Sequence, residues 1–163
     1  MSFVFGKGSI RIFKTTDGEF RLREIYGDGN CMFRAISFIL WGTENRHRQL
    51  RSLKTKLSQV VNHIEDTWRE LRPYVLAEWN VSSPSVYANF MGADGTFASE
   101  LECVVATKLK RLNLAIYRRA DTTGNLRCIL ESRQFSNRRV KTANLLFSGK
   151  NEYGHYDVLL PKR

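Results

Sequence analysis

A chain of 163 residues is long enough to bury one hydrophobic core and short for two, so residues 1–163 are expected to form a single domain. Its 42% hydrophobic content excludes a disordered tail, and no apolar run approaches the roughly 18 residues of a membrane span. Lysine and arginine outnumber aspartate and glutamate 26 to 16, a net charge of +10 that raises nucleic acid or acidic surfaces as partners.

The opening MSFVFGKGSI has no basic stretch followed by an apolar one, so no secretory signal is expected. Residues 9–14 (SIRIFK) alternate apolar and polar, and residues 20–26 (FRLREIY) do so less cleanly. Both predict short strands, joined as a hairpin around Asp17-Gly18. Residues 31–41 are almost wholly apolar and predict a buried helix that Gly42 ends. Leu50, Leu53, Leu57, Val60, Val61 and Ile64 then recur at spacings of three and four. They predict an amphipathic helix with Arg46, Arg48, Arg51, Lys54 and Lys56 mostly turned outward, a solvated face rather than a phosphate-binding one. Residues 65–78 read as a further helix broken before Pro73, and Ser83-Pro84 as the start of a short helix through Phe90. Asp94-Gly95 is a turn, and residues 97–111 predict a helix carrying Leu101, Val104, Val105 and Leu109 on one side. Four strands follow at 112–118, 126–131, 143–147 and 155–160, the first two joined through the loop at 121–125. The order predicts an α+β fold, helices packed on a mixed, mostly antiparallel sheet.

The three cysteines, Cys31, Cys103 and Cys128, are odd in number and widely spaced, which argues against a disulfide framework. There is no CxxC pair, and His47, His63 and His155 form no zinc pattern, so no metal is expected. Cys103 and Cys128 read as small buried hydrophobes, and free thiols fit a reducing, cytoplasmic setting. Cys31 differs. It follows the turn Gly27-Asp28-Gly29-Asn30 and opens the apolar helix. A helix N-terminus and a nearby imidazolium both favour a thiolate, the nucleophilic form of cysteine. Glycines at 27 and 29 give the turn backbone freedom, and N–H groups there can face a developing oxyanion. Asp28 reads equally as a turn or cap residue.

Near the other end stands His155-Tyr156-Asp157. On a strand, residues i and i+2 share a face, so His155 and Asp157 would point together while Tyr156, Val158 and Leu160 point away. A carboxylate there can fix the tautomer of the ring and stabilise its charged form. His47 reads as a packing or capping residue.

With these motifs the sequence resembles the ovarian-tumour-type (OTU) cysteine proteases, which are deubiquitinases. The resemblance rests on Gly27-Asp28-Gly29-Asn30-Cys31-Met32-Phe33-Arg34-Ala35-Ile36 and on His155-Tyr156-Asp157. The stretch from Met91 through Glu102 looks like the family's middle motif, with Phe97 where a tryptophan is common. The resemblance implies a compact papain-like core without a cofactor, acting on the isopeptide bond at the C-terminus of ubiquitin, in polyubiquitin chains or in a ubiquitin-like modifier. By that likeness Cys31 is the nucleophile, His155 the general base and Asp157 the orienting acid. Asp28, Gly29 and Asn30 form the oxyanion loop with the N–H of Cys31, and Asp28 is a second candidate for supporting the ring. The segment before His155 is most similar to compact viral members, which would place the protein in a host cytoplasm. A monomer is expected. Because the substrate surface is basic, the resemblance also implies acidic groups near the cleft, for which Asp94, Glu100, Glu102 and Glu152 are candidates. Two other functions compatible with the sequence are a non-catalytic ubiquitin-binding module, against which the intact Cys, His and Asp speak, and nucleic-acid binding through residues 46–56.

Overall fold

The computed structural model describes residues 12–16, 18–51, 86, 89, 91, 93, 95–98, 100–150 and 153–162. The elements, in chain order, are strands β1 (Ile12–Thr15) and β2 (Gly18–Arg23), helix α1 (Cys31–Trp41), a 3-10 turn (Glu44–Arg46), helix α2 (His47–Arg51), helix α3 (Glu100–Leu109), and strands β3 (Asn113–Arg119), β4 (Leu126–Ser132), β5 (Thr142–Ser148) and β6 (His155–Pro161). The expected helix beyond Arg51, residues 65–78, the Ser83-Pro84 start and the acidic candidates Asp94 and Glu152 lie outside the described residues.

The strands form one six-stranded sheet in the order β1-β2-β6-β5-β3-β4. Among the described strands, β3 and β5 run parallel and the other paired neighbours antiparallel, which is the mixed, mostly antiparallel sheet the sequence predicts. β3 and β5 are apolar runs buried on both sides, as interior strands require. β4, at the edge, has only exposed and half-buried residues. The sheet curls until its ends meet: the Lys14 N–H donates to the Gly124 carbonyl at 2.8 Å, joining β1 to the tip of the β3–β4 hairpin. The curl encloses a small cluster of Phe13, Phe20, Ala115, Tyr117, Leu146 and Leu159. The opposite face carries the main core, where Leu114, Ile116, Leu145, Tyr156 and Val158 pack with Cys31, Met32, Ile36 and Cys103 of the helices. Adjacent residues of β6 thus enter different clusters, the alternation expected of a strand.

α1 begins and ends where the apolar pattern predicts. Gly42 closes it at φ 73°, with its N–H on the Phe38 carbonyl, a left-handed C-cap that glycine adopts without steric cost.

Several expectations are corrected. Arg51 does not face solvent but is buried, only 3% exposed. α3 starts at Glu100 rather than at 97, and its buried residues include Glu102, Cys103, Ala106 and Thr107, while Leu109 is exposed. Glu102 is therefore no part of an acidic surface; of the expected stripe, Val104 packs against the core and Leu109, the last residue of the helix, is exposed. Cys128 is exposed on the edge strand, whereas Cys103 is fully buried and its thiol is pushed well above the usual range, first by burial and then by Glu102.

The Tyr156 hydroxyl is buried with no hydrogen-bond partner among the described residues, and burial raises its pKa. Its ring packs against Phe147 at 4.9 Å between centroids. Tyr156→Phe keeps the ring and removes a desolvated polar atom, so thermal melts are expected to show unchanged or higher stability, by up to about 1 kcal/mol.

Candidate active site

β6 lies between β2 and β5, and the chain leaving β2 must run past the first residues of β6. This places the segment from Ile25 to Asn30, and the start of α1 behind it, beside His155. The Ile25 N–H donates to Asp157 Oδ1 at 2.8 Å, a contact between residues 132 positions apart. The same oxygen sits 2.8 Å from His155 Nε2. Asp157 is 1% exposed, and the ring is half-buried. The imidazole pKa is pushed up to about 9, chiefly by the hydrogen bond to Asp157 and next by Cys31; burial works in the opposite direction. Cys31 and His155 are thus neighbours in space.

Cys31 itself is 1% exposed. The thiol is therefore buried, and the cleft beside it, of about 420 Å³, is lined by Ile25, Gly27, Asp28, Gly29, Phe97, Tyr153, Gly154 and His155. The physical reason is that α1 opens on the apolar run Cys31-Met32-Phe33, which is buried in the core together with Ala35 and Ile36, and position 31 is carried in with it. Tyr153 stands at the mouth, 85% exposed. Phe97, where the middle motif leads the sequence reader to expect an aromatic, stacks on Tyr156 with centroids 6.2 Å apart.

The loop ahead of Cys31 is held from both sides. On the outside, Asp28 receives Arg34 Nε at 3.1 Å and Nη2 at 2.9 Å, and its Oδ1 also accepts the Asn30 N–H at 2.9 Å. Burial raises the Asp28 pKa, but the bonds from Arg34 and Asn30 outweigh it and the net shift is downward. The Arg34 guanidinium also lies 5.0 Å from the Tyr26 ring. Asp28 therefore does not pair with the imidazole. Of the two carboxylates left open by the sequence, Asp157 meets the ring and Asp28 braces the loop. On the inside, the Asn30 side chain caps no helix N–H. Its Oδ1 instead accepts the Gly95 N–H at 2.8 Å and Arg51 Nη2 at 3.0 Å. Gly29 is required by close approach, since a Cβ there would lie 1.8 Å from the Gly95 carbonyl oxygen.

These bonds determine which N–H groups of the loop are available. The Asn30 N–H is used by Asp28, and the Cys31 N–H points to the Asp28 carbonyl at 3.3 Å, a long bond. Gly29, in the cleft wall, has no acceptor for its N–H among the described residues. The expected set of donors is thereby narrowed.

Arg34, Arg51 and the Ile25 N–H were not singled out from the sequence. Arg34 had a signal, a charge inside an otherwise apolar helix that requires a partner. Arg51 had none, because its oxygen acceptors come from distant segments.

In an unfolded chain the imidazole titrates near 6.5 and in the folded one near 9, so folding takes up a proton between those values. The pair's contribution to stability is complete below pH 6.5 and is lost as the pH rises through about 9. In His155→Gln, melting temperatures are expected to change less than in the wild type across that window.

A family model described as OTU-like cysteine protease matches residues 26–155. The ovarian tumor domain-containing deubiquitinating enzyme 7 of Arabidopsis thaliana is 31% identical over 98 residues, which are 60% of this chain and 24% of that protein, so the chain spans about a quarter of the length of this curated relative. Among solved structures, the viral OTU domain protease from Dera Ghazi Khan virus matches with a TM-score of 0.65 at 20% identity, over 94% of this chain and 87% of that one. The Hazara virus OTU bound to ubiquitin matches with a TM-score of 0.57 at 18% identity, over 93% and 87%. These likenesses show the fold expected from the sequence.

Proposed function

The chain belongs to the OTU-like cysteine protease family, and from that premise we propose that it is a deubiquitinase, hydrolysing the isopeptide bond after the C-terminal glycine of ubiquitin or a ubiquitin-like modifier. The observation that carries this reading is the His155–Asp157 pair at 2.8 Å with Cys31 beside the ring. The curated relative is named as a deubiquitinating enzyme, and one structural neighbour is an OTU bound to ubiquitin.

In the proposed reaction Asp157 holds His155 through Nε2, which leaves Nδ1 facing the thiol. Below about pH 9 the ring is an imidazolium, so the pair reacts with the sulfur's proton already on Nδ1, and the Cys31 sulfur attacks the carbonyl carbon of the terminal glycine as the thiolate. The oxygen of the tetrahedral adduct takes the Gly29 N–H, and the Cys31 N–H exchanges its long bond to the Asp28 carbonyl for this stronger acceptor. His155 returns the proton to the lysine amine as the C–N bond breaks, leaving a thioester on Cys31. Water, deprotonated by His155, cleaves the thioester and frees the ubiquitin carboxylate and the thiol. Because Cys31 is only 1% exposed, the glycine tail must displace part of the cleft wall to reach the sulfur.

The test is a panel of di-ubiquitins of each linkage, incubated with wild type and Cys31→Ala. Cleavage by the wild type alone is expected; turnover by Cys31→Ala would refute the site. Asp157→Asn keeps an acceptor for the Ile25 N–H but loses the charge that supports the imidazolium, and kcat is expected to fall by up to about 10⁴. The wild-type kcat/KM should decline above about pH 9 as the imidazolium loses its proton, a limb that pH–rate profiles will show.

A further inference from the structure

The Arg51 guanidinium, on α2, reaches four oxygens from two separate segments. Nη1 donates to the Met91 carbonyl at 2.8 Å; Nη2 lies 3.1 Å from the Gly29 carbonyl, 3.0 Å from Asn30 Oδ1 and 2.6 Å from the Thr96 carbonyl. Its central carbon sits 4.5 Å from the centroid of the Phe33 ring on α1. A desolvated guanidinium is costly unless its donors find acceptors, and here both Nη atoms find them in the loop before Cys31 and in the segment from Met91 to Thr96.

Orientation of the Gly29-Asn30 peptide is what the contact controls. Its carbonyl points to Arg51 and its N–H to Asp28, so the peptide plane is held at both ends. A flip of that plane would break the two bonds together and would rotate the backbone that positions the Gly29 and Cys31 N–H groups. We propose that Arg51 is a positioning residue for the reaction: by clamping the loop before Cys31 against the backbone of Gly95 and Thr96, it keeps the oxyanion donors preorganised. The role rests on the deubiquitinase reading above and assigns the donors' fixity to a side chain that touches neither substrate nor sulfur. A lysine cannot substitute, because a single ammonium lacks the planar fork that spans four acceptors. A misplacement of the donors by about 1 Å costs on the order of 10²-fold in rate.

Two measurements on Arg51→Lys test this. Steady-state hydrolysis of a ubiquitin substrate is expected to show kcat lowered by about 10²-fold with KM within about twofold of wild type, since the clamp acts on the transition state. Hydrogen exchange is expected to be faster at the Asn30 and Gly95 amides, whose bonds depend on the clamp, while amides of β3 and β5 keep wild-type rates. Asn30→Ala, which leaves the guanidinium in place but removes its bridge to Gly95, should shift both readouts in the same direction and less far; it carries the test if Arg51→Lys exchanges globally as an unfolded chain. Unchanged kcat, a parallel change in KM, or unchanged exchange at Asn30 and Gly95 would overturn the proposal. Should the wild type cleave no ubiquitin substrate, the deubiquitinase reading fails, and exchange at those two amides alone decides the clamp.

Discussion

Oδ1 of Asp157 lies 2.8 Å from the ring nitrogen of His155 and 2.8 Å from the backbone nitrogen of Ile25. A carboxylate buried in the middle of a sheet needs such partners, because desolvation of an unpaired charge costs several kcal/mol. One partner comes from its own strand and the other from the chain that has just left β2. The oxygen that satisfies the folded backbone is therefore the one that orients the imidazole and raises its proton affinity. Fold and chemistry share a single acceptor, and β6 must sit between β2 and β5 for both demands to be met.

Around that acceptor the two sides of the molecule do different work. The sheet, curled until β1 touches the β3–β4 hairpin, supplies the platform for His155. The turn before α1 carries Cys31 and the loop N–H groups, and it has no regular ladder to hold it. Arg34 on its outer side and Arg51 on its inner side take that part, one through the Asp28 carboxylate and one through carbonyls. Gly29 completes the arrangement by letting the Gly95 backbone approach where any side chain would collide. Burial of position 31 follows from the same packing: a helix apolar from its first residue draws its N-terminus into the core, where backbone N–H groups act in a low dielectric.

Much of this was legible in the linear text. The dense apolar run between a glycine-flanked turn and Gly42 marked α1 at both ends, and the late strands announced themselves by β-branched and aromatic content. The two-residue spacing of His155 and Asp157 sufficed to place them on one face. What differs is burial: helical spacing turns Arg51 outward and Leu109 inward where the fold does the reverse, and Glu102 is buried while Cys128 is exposed. Periodicity records which residues lie on one side of an element, but which side is desolvated depends on what packs there, and that partner is distant in the chain.

The order of residues by itself determined the kinds of side chain present, the sequence of helices and strands, and the pattern that resembles a thiol protease, because these follow from local sterics and from hydrophobic spacing. Only the tertiary structure decided that Asp157 rather than Asp28 meets the ring, that Arg51 turns inward, and that Cys31 is buried. Each of those outcomes is a choice of partner among charged and polar groups. Such choices are made by through-space distance and solvent exclusion, which exist only once β2 has paired with β6 and the loop has closed against Gly95.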